Sequence, residues 1–328
     1  MKAVVFGGKG GPEVAGLQEI PRPSAQRGEV LVRVRAAALN RADLLQRRGL
    51  YPPPPGYRED VPGLEFAGEV AEVGAGVTAW KPGDRVMAIA SGEAQAEFTL
   101  ADPFMLMPIP EGLSFAEAAA LPEAGVTAHD AMITLGGMRP GGTVLIHAAG
   151  SGVGTAALQI AKAMGGTAIG TARTADKLEK ARALGLDHGI LVDKEAPRFA
   201  EEVRGRTGKK GVPVILDFVG ASYAAENLAA LASQGRIVVI GTMGGAKATV
   251  DLGALMRVRG QVIGTVLRPR PLFEKIQATQ AFARDVLPLV AAGKVRPVLD
   301  RAWPAAQVRE AHEQLERNDS FGKVVLEF

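Results

Sequence analysis

The sequence of 328 residues predicts an α/β protein with two domains, one built on a doubly wound parallel sheet and one rich in short strands. A chain of this length exceeds what one hydrophobic core usually serves, so two domains are expected. From Thr143 onward, apolar strands alternate with helical segments, which is typical of a parallel sheet covered on both faces. Before about residue 115, short strands are separated by Gly and Pro turns, and no long helix is predicted.

Alternating side chains identify the strands of the β-rich region. The segment EVLVRVRAA (29–37) alternates apolar and charged residues, as a half-buried antiparallel strand does. The segment FAGEVAEVGAGV (66–77) repeats the pattern, and KPGDRVMAI (81–89) is a tight turn followed by another strand. The C-terminal FGKVVLEF (321–328) alternates in the same way, so we expect a last strand that returns to this region.

The parallel sheet is predicted from the segment TVLIHA (143–148), which has the composition of a buried strand. A helix follows it and ends at Gly165 and Gly166. Further apolar strands, separated by helical stretches, are TAIGTA, GILVD, PVILDFVG and GRIVVIG. This order predicts the doubly wound Rossmann fold, which binds dinucleotides.

Composition excludes several classes of function. The chain has no Cys, which removes disulfides, thiolate nucleophiles and zinc sites with sulfur ligands. Its net charge of +3 comes from 38 basic and 35 acidic residues that are mixed along the chain, without the basic run typical of nucleic-acid binding. No apolar run reaches the ~18 residues of a membrane span, and the N-terminus has the pattern of a strand and a turn rather than of a signal peptide. We expect a cytoplasmic protein that binds neither nucleic acid nor membrane.

The segment HAAGSGVG lies between a predicted strand and a predicted helix, as a dinucleotide fingerprint does. Its glycines let the backbone turn sharply and approach a pyrophosphate, and the helix N-terminus attracts negative charge. The spacing departs from the strict pattern, because Thr155 stands where the third glycine is expected. The predicted phosphate-binding residues are Gly150, Ser151, Gly152, Val153 and Gly154.

The end of the second strand of this fold predicts which cofactor is bound. An NAD site usually carries Asp or Glu there, for the ribose 2′-hydroxyl. Here the strand continues into Arg173, with Lys177 four residues on, and no acid ends it. These cations either flank a 2′-phosphate, with Thr171 or Thr174 adding a hydroxyl, or are solvated charges with Asp176 close by. The missing carboxylate favours NADP(H) over NAD(H).

The segments HAAGSGVGTAALQIAK, ALNRADLLQRRG, PGLEFAGEV, LPEAGVTA and GKVVLEF together resemble the medium-chain dehydrogenase/reductase superfamily. More narrowly, they resemble its zinc-free quinone oxidoreductases, over essentially the whole chain. The resemblance implies a GroES-like catalytic domain of residues 1–118 and 268–328, with a Rossmann domain of residues 119–267 between them. It also implies a homodimer joined edge to edge through the Rossmann sheets.

The same resemblance implies that no metal is bound. Zinc alcohol dehydrogenases of the superfamily use a Cys where this chain has Asn40, a His beside a Glu where it has Leu64 and Glu65, and a second Cys near Glu123. The two carboxylates that remain here are a poor set of ligands for a catalytic zinc ion.

The resemblance points to Asn40 and Tyr51 as catalytic residues. A quinone accepts electrons readily, so the protein mainly positions it and donates a hydrogen bond to its oxygen. Asn40 either binds a substrate oxygen or the nicotinamide ribose, or it is a helix N-cap with Asp43 as first-turn acid. Tyr51 precedes PPPPG and either stacks on the quinone or donates its hydroxyl, or it only packs the loop.

Other cofactor contacts are expected on the family pattern and at the carboxyl ends of strands, where ligands bind to this fold. These are Thr127 near the nicotinamide, Val219, Gly220, Gly241 and Met243 after later strands, Leu267 and Arg268 closing over the cofactor, and Lys323 reaching back to it. Many relatives carry a Tyr near the 2′-phosphate where this chain has Val192 and Asp193. His147 is interpreted as strand-end packing.

The predicted function is that of an NADPH-dependent quinone oxidoreductase, which reduces ortho- or para-quinones by hydride or single-electron transfer. Its partner is a small-molecule quinone. An alternative is a reductase of enone or 2-alkenal double bonds, which a requirement for Tyr51 as proton donor would favour. A third hypothesis, of another class, is an NADPH-binding redox sensor with little catalysis.

Overall fold

The computed structural model describes residues 1–328 as fifteen β-strands and ten α-helices. The strands are β1 Lys2–Phe6, β2 Ala15–Glu19, β3 Val30–Ala38, β4 Glu65–Val73, β5 Arg85–Ile89, β6 Phe98–Ala101, β7 Leu106–Pro108, β8 Thr143–Ile146, β9 Thr167–Ala172, β10 His188–Leu191, β11 Val212–Asp217, β12 Leu231–Val239, β13 Gln261–Gly264, β14 Leu299–Pro304 and β15 Lys323–Glu327. The helices are α1 Arg41–Arg47, α2 Phe115–Ala119, α3 Pro122–His129, α4 Gly152–Ala163, α5 Ala175–Arg182, α6 Ala200–Arg206, α7 Ala224–Ala230, α8 Leu252–Val258, α9 Leu272–Ala291 and α10 Val308–Arg317. No helix has the length and apolar character needed to cross a membrane.

The chain divides into two compact units. The first unit comprises Met1–Ala124, Leu267–Ala292 and Pro297–Phe328, and the second comprises Gly125–Val266 and Gly293–Arg296. The sequence predicts the divisions after residues 118 and 267. The first unit thus includes α3 only as far as Ala124, and the remainder of that helix belongs to the second unit.

The second unit is built on a six-stranded sheet in the order β10-β9-β8-β11-β12-β13, in which every neighbouring pair is parallel. The chain enters at β8 in the middle, moves outward to β10, returns to β11 and moves outward again. This is the strand order of the doubly wound fold, so the predicted fold class is confirmed. Ligands of such sheets bind beyond the carboxyl ends of β8 and β11, where the strand order reverses.

Apolar strands form the core of that sheet. Leu145, Ile169, Ile215 and Ile237 come from four neighbouring strands and pack with Phe199 in one buried cluster. Each such side chain contributes roughly 1.5–3 kcal/mol when it is fully buried. The strands are therefore held firmly, and the turns that follow them start from fixed positions.

The first unit contains a seven-stranded sheet, with the path β14-β15-β3-β4-β5-β7 and β6 paired with β3, beside the hairpin β1-β2. The strand predicted from FGKVVLEF is β15, which pairs antiparallel with β3. The Leu39 N–H donates to Val324 O over 2.9 Å, so the last strand lies directly beside the start of α1. This pairing places Lys323 next to Asn40.

Candidate functional site

In the second unit, the segment between β8 and α4 has the geometry of a phosphate cradle. Ser151 is the N-cap of α4, and its Oγ accepts a hydrogen bond from the Gly154 N–H over 3.0 Å. A Cβ on Gly154 would lie 2.5 Å from Ala148 O, so only glycine fits there. Ala148 itself has a φ of 45°, which is uncommon for a residue with a side chain. A tight turn leading into a helix of 12 residues suits a pyrophosphate, because the helix dipole and its first N–H groups attract anions.

The end of β9 carries cations and no carboxylate. Arg173 is exposed and Lys177 is half-buried. Asp176 forms a salt bridge with Lys180, 2.9 Å away and one helical turn on. Of the two threonines offered as 2′-phosphate ligands, Thr174 is exposed, whereas Thr171 is buried and its Oγ1 lies 2.9 Å from His147 Nδ1.

The turns after β11 and β12 are joined to each other. The Gly244 N–H donates to Val219 O over 2.7 Å, and the Ala221 N–H donates to Gly245 O over 2.9 Å. Gly220 has a φ of 83°, and a Cβ on it would lie 2.7 Å from Gly245 O. The predicted contacts Val219, Gly220, Gly241 and Met243 therefore lie in two adjoining turns at the carboxyl edge of the sheet. Met243 is exposed, and Thr127 is half-buried on α3.

In the first unit, Lys323 joins the residues that the resemblance aligns with zinc ligands. Its ammonium donates to Asn40 Oδ1 over 2.6 Å and to Leu39 O over 2.9 Å, and it lies 2.6 Å from Glu65 Oε1. The Asn40 Nδ2 donates to the same Glu65 oxygen over 2.9 Å. Glu65 is fully buried and Lys323 nearly so. Three acceptors match the three N–H groups of the ammonium.

Asn40 occupies the N-cap position of α1 and has the arrangement of a capping box with Asp43, while its side-chain hydrogen bonds go to Lys323 and Glu65. Its amide oxygen faces Lys323 and its amide nitrogen faces Glu65, so the orientation of the amide is fixed by charged partners. Asp43 has the structural role expected of a first-turn acid, because its carboxylate accepts the Asn40 N–H over 2.7 Å. Burial is the largest influence on the pKa of Asp43 and raises it to about 6. The hydrogen bond from Asn40 and the charges of Arg268 and Lys323 act in the opposite direction but are weaker.

Glu123 is the third carboxyl group beside Glu65 and Asp43. Its backbone N–H donates to Glu65 Oε2 over 2.8 Å, while its own side chain is half-buried. Burial, followed by the negative charge of Glu65, raises the pKa of Glu123 to about 8. The carboxyl group is therefore protonated near neutral pH and is able to donate a proton.

Arg268 holds the loop that carries Tyr51. Its buried guanidinium donates to Tyr51 O over 3.0 Å, to Ser91 O over 2.8 Å and to Gln46 Oε1 over 2.7 Å. Its Cζ lies 5.3 Å from the centre of the Tyr51 ring, within the range of a cation–π contact. Burial, followed by the charge of Glu123, raises the pKa of Tyr51. Tyr51 is half-buried, and Leu267 is buried.

Sequence reasoning missed three features of these units: the contacts of Lys323 with Asn40 and Glu65, the contacts of Arg268 with the Tyr51 loop, and the hydrogen bonds of His147. A partial indication was available for His147. It ends the apolar strand TVLI, as Asp217 ends PVILD, and a polar residue that closes a buried strand needs a hydrogen-bond partner. No local pattern connects Lys323 with Asn40, because 283 residues separate them.

Family models match both units. A model described as alcohol dehydrogenase GroES-like domain matches residues 26–131, and one described as zinc-binding dehydrogenase matches residues 152–283. The quinone oxidoreductase of Pseudomonas aeruginosa is 34% identical over 333 residues, which cover 99% of this chain and 99% of that protein.

Solved structures agree over the full length. Escherichia coli quinone oxidoreductase complexed with NADPH has a TM-score of 0.85 at 30% identity, with 100% of each chain covered. An NAD-dependent alcohol dehydrogenase has a TM-score of 0.85 at 34% identity, again with 100% of each chain covered. The sheet order, the cradle and these similarities show that the chain is an oxidoreductase of the medium-chain dehydrogenase/reductase superfamily and belongs to its quinone oxidoreductase branch.

Proposed function

We propose that the protein is an NADPH-dependent quinone oxidoreductase that works without a metal ion. The observation that carries the choice of cofactor is the end of β9, where Arg173 is exposed and no carboxylate is available for a ribose 2′-hydroxyl. Asp176, the nearest acid in sequence, pairs with Lys180. A guanidinium beside a phosphate forms charge-assisted hydrogen bonds, which favours the phosphorylated cofactor.

The cradle residues 150–154 and the N-terminus of α4 would hold the pyrophosphate of this cofactor. Bound NADPH supplies a hydride. In the first unit, Asn40 would donate from its amide nitrogen to the quinone oxygen that gains negative charge. Lys323 and Glu65 hold that amide in one orientation, so it needs no reorganisation during the reaction.

The contacts of Lys323 support chemistry without zinc. A cation already lies 2.6 Å from both Glu65 Oε1 and Asn40 Oδ1, at positions where the zinc enzymes of the superfamily carry ligands. The ammonium compensates the buried charge of Glu65 there. Glu65 and Glu123 in addition lack the imidazole and thiolate partners that a catalytic zinc ion needs.

Glu123 favours a second candidate, reduction of enone or 2-alkenal double bonds. That reaction requires a proton for the carbon next to the carbonyl, in addition to a hydride. A carboxyl group with a pKa of about 8 is protonated at neutral pH, and the half-buried Glu123 side chain meets this description. Tyr51, with its raised pKa, is the other donor to test. A redox sensor with little catalysis would bind NADPH and turn over neither substrate.

We also propose a homodimer joined through β13. This strand ends the sheet, so its outer edge is available for pairing with a second copy. Val262 on β13 is exposed, as are Leu252 and Met256 on α8, a helix without a single buried residue. Such an apolar edge is typical of a subunit interface. Val262→Asp should give a monomer in sedimentation, whereas Leu191→Asp, on the opposite edge strand β10, should leave the dimer intact.

The choice of cofactor is tested by binding. Calorimetry should give a dissociation constant for NADPH well below that for NADH. Arg173→Ala should weaken NADPH binding about 10- to 100-fold, the loss of a charge-assisted hydrogen bond of roughly 1.5–3 kcal/mol, and leave NADH binding unchanged. Arg182→Ala, at the C-terminal end of α5, is the control and should change neither. Equal affinity of the wild-type protein for both cofactors would overturn the NADPH proposal.

A further inference from the structure

The second unit contains a series of buried polar side chains, joined by hydrogen bonds, that crosses the carboxyl edge of its sheet. His147 directly follows the central strand β8. Its Nδ1 lies 2.9 Å from Thr171 Oγ1, near the end of β9 on one side, and its Nε2 lies 2.6 Å from Asn227 Oδ1 on the other. The Asn227 Nδ2 donates to Asp217 Oδ2 over 2.9 Å, at the end of β11. All four residues are buried, with at most 2% of their surface exposed.

With Asp217 as a carboxylate, these hydrogen bonds have only one possible direction. The second oxygen of Asp217 accepts the N–H groups of Val219 over 2.7 Å and Gly220 over 2.9 Å. A carboxylate that accepts in this way also needs a donor from Asn227, so the amide nitrogen faces it and the amide oxygen faces His147.

The same reasoning fixes the hydrogen bonds at the other end of this series of side chains. Because the amide oxygen of Asn227 accepts, His147 must carry its proton on Nε2 and accept on Nδ1. The Thr171 hydroxyl therefore donates to Nδ1, and the Tyr223 hydroxyl bonds to Thr171 in turn. A neutral imidazole is thus held in a single tautomer.

Packing prevents the imidazole from turning away. The centre of the His147 ring lies 4.8 Å from the ring centres of both Phe199 and Tyr223. Burial lowers the pKa of His147 to about 4, which agrees with a neutral ring at physiological pH.

Each end of this hydrogen-bonded series adjoins a turn to which we assign a cofactor contact. The segment that leads into the cradle begins at Ala148, the residue after His147. Arg173 stands two residues beyond Thr171, and the turn of Val219 and Gly220 is bonded directly to Asp217. We propose that His147 is a positioning residue for NADP(H), which sets the relative placement of these three turns through its two hydrogen bonds. This inference rests on the proposed function.

Two variants test the role of His147. His147→Phe keeps a ring between Phe199 and Tyr223 but removes both hydrogen bonds, and Thr171→Val removes the hydroxyl that bonds both to Nδ1 and to Tyr223. We expect the dissociation constant for NADPH to rise about 10-fold or more in His147→Phe, equivalent to about 1.4 kcal/mol, and about 3-fold in Thr171→Val. The KM for the quinone should stay unchanged in both. His188→Phe, on β10 of the same sheet, is the matched control and should behave as wild type.

Amide hydrogen exchange of the ligand-free protein gives a readout that does not depend on turnover. The N–H groups of Val219 and Gly220 should exchange faster in both variants, and by a larger factor in His147→Phe. Thr171→Val gives the answer if His147→Phe does not fold. Wild-type NADPH affinity and wild-type exchange at residues 219 and 220 in Thr171→Val would overturn the inference and leave the proposed function intact. Failure of the wild-type protein to bind NADPH would instead overturn the proposed function, while faster exchange would still support the hydrogen-bond chain.

Discussion

The two units bury their polar groups in opposite ways. The first unit places full charges beside one another. The carboxylate of Glu65 lies against the ammonium of Lys323, and the guanidinium of Arg268 is close enough to Asp43 to lower the pKa of its carboxyl group. In the second unit, the series of neutral side chains from Thr171 through His147 and Asn227 runs in one hydrogen-bond direction to the carboxylate of Asp217. A buried charge that loses its partner lowers the free energy of unfolding more than a broken neutral hydrogen bond does. The two units should therefore be destabilised by different substitutions and different pH changes.

The largest effect is expected when the charge pair of the first unit is broken. Lys323→Met leaves the buried Glu65 carboxylate without its cation and should lower the free energy of unfolding by about 3–5 kcal/mol. Lys162→Met is the matched control, because Lys162 pairs with Asp187 over the same kind of distance, 2.9 Å, but at the surface. It should cost about 0–1 kcal/mol. Urea unfolding followed by circular dichroism measures both.

A double variant sharpens that result. If the cost arises from an uncompensated charge, Glu65→Leu combined with Lys323→Met should be more stable than Lys323→Met alone. A double variant that is less stable than the single one would show that packing, rather than charge, dominates at this position.

A smaller effect should appear in acid, from the second unit. The pKa of His147 is about 4 in the folded protein against an ordinary value of 6.5, so between these pH values the unfolded chain binds a proton that the native ring excludes. The stabilisation is complete above pH 6.5 and is lost as the pH falls towards 4. The slope should be at most about 1.4 kcal/mol per pH unit for this group, and His147→Phe should remove it. His312 in the first unit, whose pKa burial lowers to about 3, retains its own contribution in that variant.

A slope of opposite sign is expected in the first unit. Glu123 has a pKa of about 8 in the folded protein against an ordinary 4.5, so the native state holds a proton that the unfolded chain releases between these values. Stability should therefore decline as the pH rises from 4.5 to 8. Glu123→Gln, which mimics the protonated acid, should flatten this decline when unfolding is measured across that range. An unchanged slope would mean that Glu123 ionises normally.

The sequence predicted the second unit better than the first. The doubly wound sheet follows from apolar strands and intervening helices, and the cradle follows from glycines at a strand-to-helix turn, all of which are local patterns. The features at the end of β9 were equally predictable from local sequence, because Arg173 directly follows the strand and no acidic residue ends it. The C-terminal strand β15 was also predicted, from the alternation of FGKVVLEF.

The contacts that organise the first unit were beyond sequence reasoning. Asn40 is the N-cap of α1, as one alternative predicts, and its side chain in addition bonds to Lys323 and Glu65, which no local pattern indicates. Arg268 was expected over the cofactor, and the structure shows its donors on Gln46, Ser91 and Tyr51. The tertiary fold brings these charged side chains to their partners, and the spacing of residues along the sequence does not indicate which partners they have. Direct contact of Lys323 or Arg268 with the cofactor stays a prediction.

The most direct test of the whole account is the rate of cofactor oxidation, followed at the nicotinamide absorbance, with 1,2-naphthoquinone and a simple enone in parallel and with NADPH or NADH. An NADPH-dependent quinone oxidoreductase should turn over the quinone fast with NADPH and little with NADH. Turnover of the enone alone would move the protein to the double-bond reductases and make Glu123 and Tyr51 the proton donors to examine. A strong preference for NADH would contradict the account, because Arg173 would then be no more than a surface charge.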